Sequence, residues 1–392
     1  MSWRSALRSV AFDVEDAFDR RWDALRIRHG LGEPLRIVPY RGYRTTGQAI
    51  LRGRVLERKH HQPPEDRDSV WDNLARWWDR VDSDEVAGAR ITARFEGREQ
   101  EVVSDDEGFF HLEMETGGPG RGDELAFHEV DLELLEPLID GEGASARGEL
   151  LVPGAGAAFG WISDLDDTII RTGATSTLRM ARVIFLNNAR SRAPFPGVAA
   201  FYRALARGGP GGAAVNPVFY VSSSPWNYYS LFAHYLDLHD FPAGPVFLKD
   251  FGLTKDHFVK SGHEDYKVER ITRVLDAYPE LPFLLVGDSG QHDPETYRRV
   301  IAERPGRILA AYLRDVTPEG RDREVHAISD QVAGAGIDMV LAEDTTAAAR
   351  HAVEHGWIAA GAVEEIAAEV EREAEGSGEV LGGPLDRLLG RD

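Results

Sequence analysis

The 392-residue chain contains no cysteine. That excludes a disulfide framework, a cysteine nucleophile and any thiolate metal site, and it suits a reducing, cytoplasmic setting. Long apolar runs are also missing, since nothing approaches the ~18 residues of a membrane span. The N-terminus, "MSWRSALRSVAFDVEDAFDRRW", lacks the uninterrupted apolar stretch of a signal peptide. Positive charge is short: 45 Lys and Arg face 66 Asp and Glu, for a formal charge of -21. Such a field disfavours a nucleic-acid partner and simple electrostatic attachment to an anionic membrane. The remaining composition is that of a soluble globular protein. The length exceeds what one hydrophobic core usually serves, so two domains are expected.

Residues 1–34 read as an amphipathic helix, because Leu7, Ala11, Val14, Phe18, Trp22 and Leu25 recur at three- and four-residue steps. Its polar face mixes Arg with many acids, which favours docking on its own domain over a lipid-seeking role. Residues 35–152 read as a β-rich accessory domain. The runs "LRIVPYRGY", "QAILRGRVLER", "ARITARFEG", "EQEVV" and "GFFHLEME" are short and apolar-rich, and "SDDEG" supplies turn chemistry before the last. Strands at such spacing predict a small β-sandwich. One helix interrupts them, with Trp71, Leu74, Trp78 and Val81 on a shared face, and the preceding His60 and His61 lack a companion ligand pattern.

From 153 to 375 the pattern changes. The strand-like runs "GWISDLD", "PVFYVSSS", "PFLLVGDSG", "RILAAYLRDV" and "DMVLAED" alternate with helical stretches. Continuous apolar strands with intervening helices predict a parallel sheet covered on both faces. The fold class is therefore α/β, with a β-sandwich-like domain and an N-terminal helix ahead of it. Residues 376–392 are Gly-rich and read as a loose tail.

The first three parallel strands end in polar or acidic residues, and the carboxyl ends of an open parallel sheet form its ligand crevice. In "WISDLDDTII", Asp164 and Asp166 are two apart, so on extended backbone they point the same way. There they could meet one hard cation, and Mg²⁺ needs only one or two carboxylates plus a substrate phosphate. Glycosyltransferases and calcium loops also use a D-x-D pair. An EF-hand is excluded because Ile169 and Ile170 follow where polar ligands should continue. In "FYVSSSPW" a hydroxyl can hold a phosphate oxygen or cap the next helix. Ser222 is taken as the first residue past that strand. "LLVGDSGQHD" places Asp288 where it can complete a magnesium site. Its G-D-S-G tetrapeptide sits in a strand-to-helix setting and carries no G-x-S-x-G elbow. Lys267 is the leading candidate, ahead of Lys249, Lys255 and Lys260, to balance charge among the carboxylates.

This succession resembles the haloacid dehalogenase superfamily of aspartate-nucleophile phosphotransferases. More narrowly, "SDLDDTI", "YVSSSPW" and "LLVGDSGQHDPETY" resemble the App1 phosphatase family, whose named member is a magnesium-dependent phosphatidate phosphatase. The motifs span residues 160 to about 320. The resemblance implies a haloacid dehalogenase-like Rossmannoid sheet and a phosphomonoester substrate, either a lipid, which would bring peripheral membrane contact, or a soluble or protein phosphoester. It implies that Asp164 attacks phosphorus and that Asp166 protonates the leaving alcohol, then activates water. It further implies that Ser222 and Lys267 hold phosphate oxygens and that Thr168 buttresses the loop. Asp164, the Asp166 backbone carbonyl and Asp288 would hold Mg²⁺, with Asp293 in support. The insertion 171–195 mixes Leu178, Met180, Val183, Ile184, Phe185 and Leu186 with Arg171, Arg179, Arg182 and Arg190. It suits either a flap over a lipid phosphate or a cap over a soluble ester. A scaffold that merely retains a phosphate pocket is the contrasting expectation.

Overall fold

The computed structural model describes residues 34–57, 85–118, 120–165, 196–210, 215–249, 263–316 and 321–379. The expected N-terminal helix, the tryptophan-bearing helix, His60 and His61, Asp166, Asp167, Thr168, the 171–195 insertion, Lys255, Lys260 and the end of the tail lie outside the described residues. The chain divides into two compact units. One comprises Met1–Gly117 with Phe127–Leu150, and the other Gly118–Ala126 with Leu151–Asp392.

The first unit is antiparallel. Its strands are β1 (Leu35–Pro39), β2 (Gly42–Thr45), β3 (Gln48–Glu57), β4 (Arg90–Phe95), β5 (Arg98–Val103), β6 (Phe109–Glu115), β7 (Ala126–Glu136) and β8 (Ser145–Val152). Alternation drives the burial: in β6, Phe110, Leu112 and Met114 enter the core while the residues between them do not. The "SDDEG" turn forms as its chemistry predicts. Asp105 Oδ1 accepts the N–H groups of Glu107 and Phe109, both at 2.9 Å, and Gly108 takes the positive φ of 77°. All eight strands belong to one hydrogen-bonded sheet, where a sandwich would divide them into two. β3 makes this possible. One edge of it pairs with β6 and the other with β1 and β2, so the sheet is continuous around a single apolar cluster that includes Val55, Ile91, Leu112 and Leu132.

The second unit is α/β, with helices on both faces of a parallel sheet. Its strands are β9 (Gly160–Asp164), β10 (Val218–Pro225), β11 (Val246–Lys249), β12 (Phe283–Asp288), β13 (Ile308–Arg314) and β14 (Asp338–Ala342). They lie in the order β11-β10-β9-β12-β13-β14, every described pairing parallel. The chain starts at β9 in the middle, steps outward to β11, then returns past β9 to build the other half. That reversal opens a crevice at the carboxyl ends of β9 and its neighbours. β9 and β12 are buried along their whole length, which accounts for their unbroken apolar runs.

The helices are α1 (Val198–Arg207), α2 (Tyr229–Leu238), α3 (His263–Ala277), α4 (Asp293–Glu303), α5 (Asp322–Ala333), α6 (Thr345–Glu354) and α7 (Ala362–Glu379). The last extends past the expected domain end at 375. Among the described residues no helix is long and apolar enough to cross a membrane.

Candidate active site

Asp164 is the last residue of β9 and Asp288 the last of β12, so the strand order alone brings both carboxylates to the crevice. Asp293 is the first residue of α4, followed by Pro294. Its negative charge there suits the helix N-terminus, and proline suits the first turn because it has no N–H to satisfy. Lys267 reaches in from α3. All four side chains are buried.

Lys267 Nζ lies 2.8 Å from Asp164 Oδ1 and 2.6 Å from Asp293 Oδ1, so one ammonium ties the end of β9 to the start of α4. Asp293 Oδ2 accepts the backbone N–H of Asp288 at 3.2 Å. Asp293 thus holds both the lysine and the end of β12. Of the other described candidate, Lys249, the ammonium sits 5.9 Å from the Tyr266 ring centroid. Burial would lower the Lys267 pKa, but the charges of Asp164 and Asp293 overcome it and raise the pKa, keeping the ammonium protonated.

Three carboxylates against one ammonium leave two negative charges in excess when all are ionised. Burial, and next the charge of Asp293, push the Asp288 carboxyl up to about 7. Asp288 Oδ1 accepts the N–H groups of Gly290 at 2.7 Å and Gln291 at 3.0 Å, whereas the buried Oδ2 has no hydrogen-bond partner. Ligand oxygens of Asp164, Asp288 and Asp293 all lie within 4.8 Å of one another. An oxygen-only donor set, an orphaned buried acceptor and excess negative charge together fit a hard divalent cation such as Mg²⁺.

Ser222 stands one residue beyond Val221, which is level with Asp164 in the β9–β10 register. It is fully buried, and its Oγ accepts the Ser224 N–H at 2.9 Å. The expectation that Ser222 is the first residue past the strand is corrected. β10 continues to Pro225, because its pairing with β11 resumes at Pro225↔Lys249 after an irregularity.

Gly287 was missed in the sequence. A Cβ there would collide with Asp293 Oδ2 and lie 2.6 Å from Tyr297 Oη, whose hydroxyl donates to the Val286 carbonyl at 2.8 Å. The glycine is required for space, so it was legible only as part of a G-D-S-G tetrapeptide. Ser289 in that tetrapeptide is fully buried. Its Oγ accepts the Val316 N–H at 2.9 Å and lies 3.3 Å from Asp315 Oδ1, so it secures the loop after β13. Ser163 and Tyr202, paired at 2.6 Å between their oxygens, brace β9 from α1 and were likewise unforeseen.

Residues 159–315 match the family described as phosphatidate phosphatase APP1, catalytic domain. Over this segment the chain is similar to the App1 catalytic family. Phosphatidate phosphatase APP1 of Saccharomyces cerevisiae is 36% identical over 157 residues, which are 40% of this chain and 26% of the yeast protein. An uncharacterised protein of Schizosaccharomyces pombe is 24% identical over 157 residues, 40% of this chain and 25% of that protein. The chain therefore matches about a quarter of the length of either relative. The App1-matched segment holds Asp164, Ser222, Lys267, Asp288 and Asp293, and it ends before β14. Among solved structures, a carbohydrate acetylesterase from Xanthomonas citri is 13% identical, covering 73% of this chain and 70% of its own, at a TM-score of 0.23. A β-glucuronidase from Bifidobacterium dentium is 12% identical, covering 77% and 66%, at 0.20. Neither score supports an argument about this fold.

Proposed function

We propose that this protein is a phosphatase that cleaves the phosphomonoester of phosphatidate to diacylglycerol and phosphate, through an aspartyl-phosphate on Asp164. The observation that carries the reading is a buried carboxylate at a strand end, held by Lys267 and faced by a second buried carboxylate with an orphaned oxygen. The lipid nature of the substrate rests on the relation of residues 159–315 to phosphatidate phosphatase APP1.

In this reading an oxygen of Asp164 attacks phosphorus, and the bond to the lipid alkoxide breaks. Asp166 gives that alkoxide its proton, then takes one from the water that releases phosphate from Asp164. One group serves both steps because it leaves the first step as a carboxylate. Lys267 opposes the repulsion between the anionic ester and the Asp164 carboxylate, and with the Ser222 hydroxyl it orients phosphate oxygens. Asp293 keeps Lys267 charged and in place. Asp164, Asp166 through its carbonyl, and Asp288 would hold Mg²⁺, which neutralises charge on the phosphoryl oxygens when bound.

The test is inorganic phosphate release from phosphatidate in mixed micelles, beside a soluble aryl phosphate, with Mg²⁺ or with a chelator. Magnesium-dependent release from the lipid, abolished in Asp164→Asn, is the expected outcome. Release from the soluble ester alone would keep the mechanism and discard the lipid. Mg²⁺ at ~100 times its dissociation constant should also stabilise the native state by ~2.7 kcal/mol. Thermal melts should show that gain in the wild type and its loss in Asp288→Asn.

A further inference from the structure

A second set of ligating atoms converges far along the chain from the App1 segment. Asp338 opens β14, and His351 and His355 lie four apart near the end of α6, hence on one helical face. Asp338 Oδ2 is 3.2 Å from His351 Nε2 and 3.6 Å from His355 Nε2, and one ligand atom from each residue lies within 4.8 Å of the others. Asp338 stands at the amino end of its strand, whereas Asp164 and Asp288 stand at carboxyl ends of strands in the same parallel sheet. The two clusters therefore lie at opposite ends of the parallel strands.

The ring nitrogens that face away from Asp338 decide what the cluster can do. His355 Nδ1 is 2.9 Å from the His351 carbonyl, and a carbonyl only accepts. The proton of a neutral His355 ring is therefore on Nδ1, and its Nε2 presents a lone pair to the Asp338 carboxylate. Two acceptors at 3.6 Å repel unless a proton or a metal cation lies between them, and either would sit where Asp338 and both imidazoles converge. His351 Nδ1 is 3.0 Å from the Tyr312 hydroxyl, a partner able to accept its proton and leave the Nε2 lone pair to a ligand. Outward-facing ring nitrogens tied to a carbonyl and a hydroxyl are what hold metal-binding imidazoles in their ligating tautomer. The His355 ring is further held by stacking on Trp357, at 4.7 Å between centroids and 24° between planes.

The spacing is also that of a coordination shell. Ligands at ~2.0–2.1 Å around a tetrahedral ion stand about 3.3 Å from one another. The two Asp338–imidazole separations, 3.2 and 3.6 Å, bracket that value. Two imidazoles and one carboxylate form a borderline donor set that suits zinc-class ions, whereas Mg²⁺ prefers oxygen throughout.

We propose that Asp338, His351 and His355 form a cation site separate from the active site, which takes a divalent ion of the zinc class and clamps the end of α6 to the start of the edge strand β14. The site is partly exposed, with the His355 side chain 40% accessible, so the ion enters from solvent and keeps at least one position for water.

The full-length protein, stripped with a chelator and returned to excess Mg²⁺, should be titrated with Zn²⁺ against a chromophoric indicator. The wild type should bind one equivalent more than His351→Ala, His355→Ala or Asp338→Asn, or bind that equivalent at least tenfold tighter. Co²⁺ should give the visible absorption of an imidazole-bound ion in the wild type and lose it in the variants. Zn²⁺ should raise the melting temperature of the wild type alone, while Mg²⁺-dependent phosphate release stays equal in all. Should His351→Ala fail to fold, the more exposed His355→Ala carries the test. Equal stoichiometry and affinity for Zn²⁺ in wild type and folded variants would overturn the site.

Discussion

Lys267 shows how much a single side chain can hold. Its ammonium is the link between Asp164 and Asp293, and all three groups are buried. Replacing it with Met keeps the volume but leaves two carboxylates without their cation. Breaking a buried ion pair in this way costs ~3–5 kcal/mol. Urea unfolding of Lys267→Met should show that loss, together with loss of phosphate release. Gly287 works by what it omits. Gly287→Ala forces a methyl against Asp293 and the Tyr297 hydroxyl, which overpacks the site by ~1–3 kcal/mol and displaces the groups that hold Lys267 and Asp288. Its phosphate release should fall by more than its stability explains. A folded Gly287→Ala protein with wild-type turnover would refute the steric argument.

At the scale of elements, Asp164 and Asp288 were legible because each ends an apolar run. Such a run marks a strand buried on both faces, and its end in a parallel sheet is where ligands meet. β11 was not legible, being only four residues, VFLK, behind Pro245. The later helices α5 to α7 were also unforeseen as elements. α7 packs against α1, and its Glu373 accepts the Gly197 N–H at 2.8 Å, at a glycine with φ of 74°. Burial, and after it the charge of Glu369, raises the Glu373 carboxyl above its usual range, although the Gly197 bond acts the other way. A raised folded-state pKa means that stability is full below the unfolded pKa and is lost as pH rises through the folded one. Glu373→Gln stays neutral and keeps the acceptor. It should stabilise the protein at neutral pH and give no gain at pH below the ordinary carboxylate range, as denaturation at the two pH values would show.

For the molecule as a whole, the division of the chain is not a single cut. Residues 118–126 lead into β7, ahead of most of the antiparallel unit's last two strands, but belong to the α/β unit. Within that unit, the Arg121 guanidinium donates to the carbonyls of Gly154 at 2.8 Å and of Ala155 and Ala157 at 3.2 Å, just ahead of β9. Charged hydrogen bonds of this kind contribute ~1.5–3 kcal/mol. Arg121→Ala should therefore lower the stability of the α/β unit by that order, read by hydrogen exchange at β9 and β12. Protection unchanged at those strands would show that residues 118–126 are not part of that unit's stability.

By itself the sequence determined the chemistry available and the element that carries it. Apolar periodicity, turn residues and acids at strand ends are properties of neighbours along the chain, and burial acts on them locally. The tertiary structure decided which distant groups meet. Only the strand order brings Asp288 beside Asp164, only α4 turns Asp293 back onto Lys267, and only the pairing of β13 with β14 sets Asp338 near the histidines of α6. The reason is physical: strand order and helix packing join residues that no local pattern connects, and a convergent site exists only once those contacts have formed.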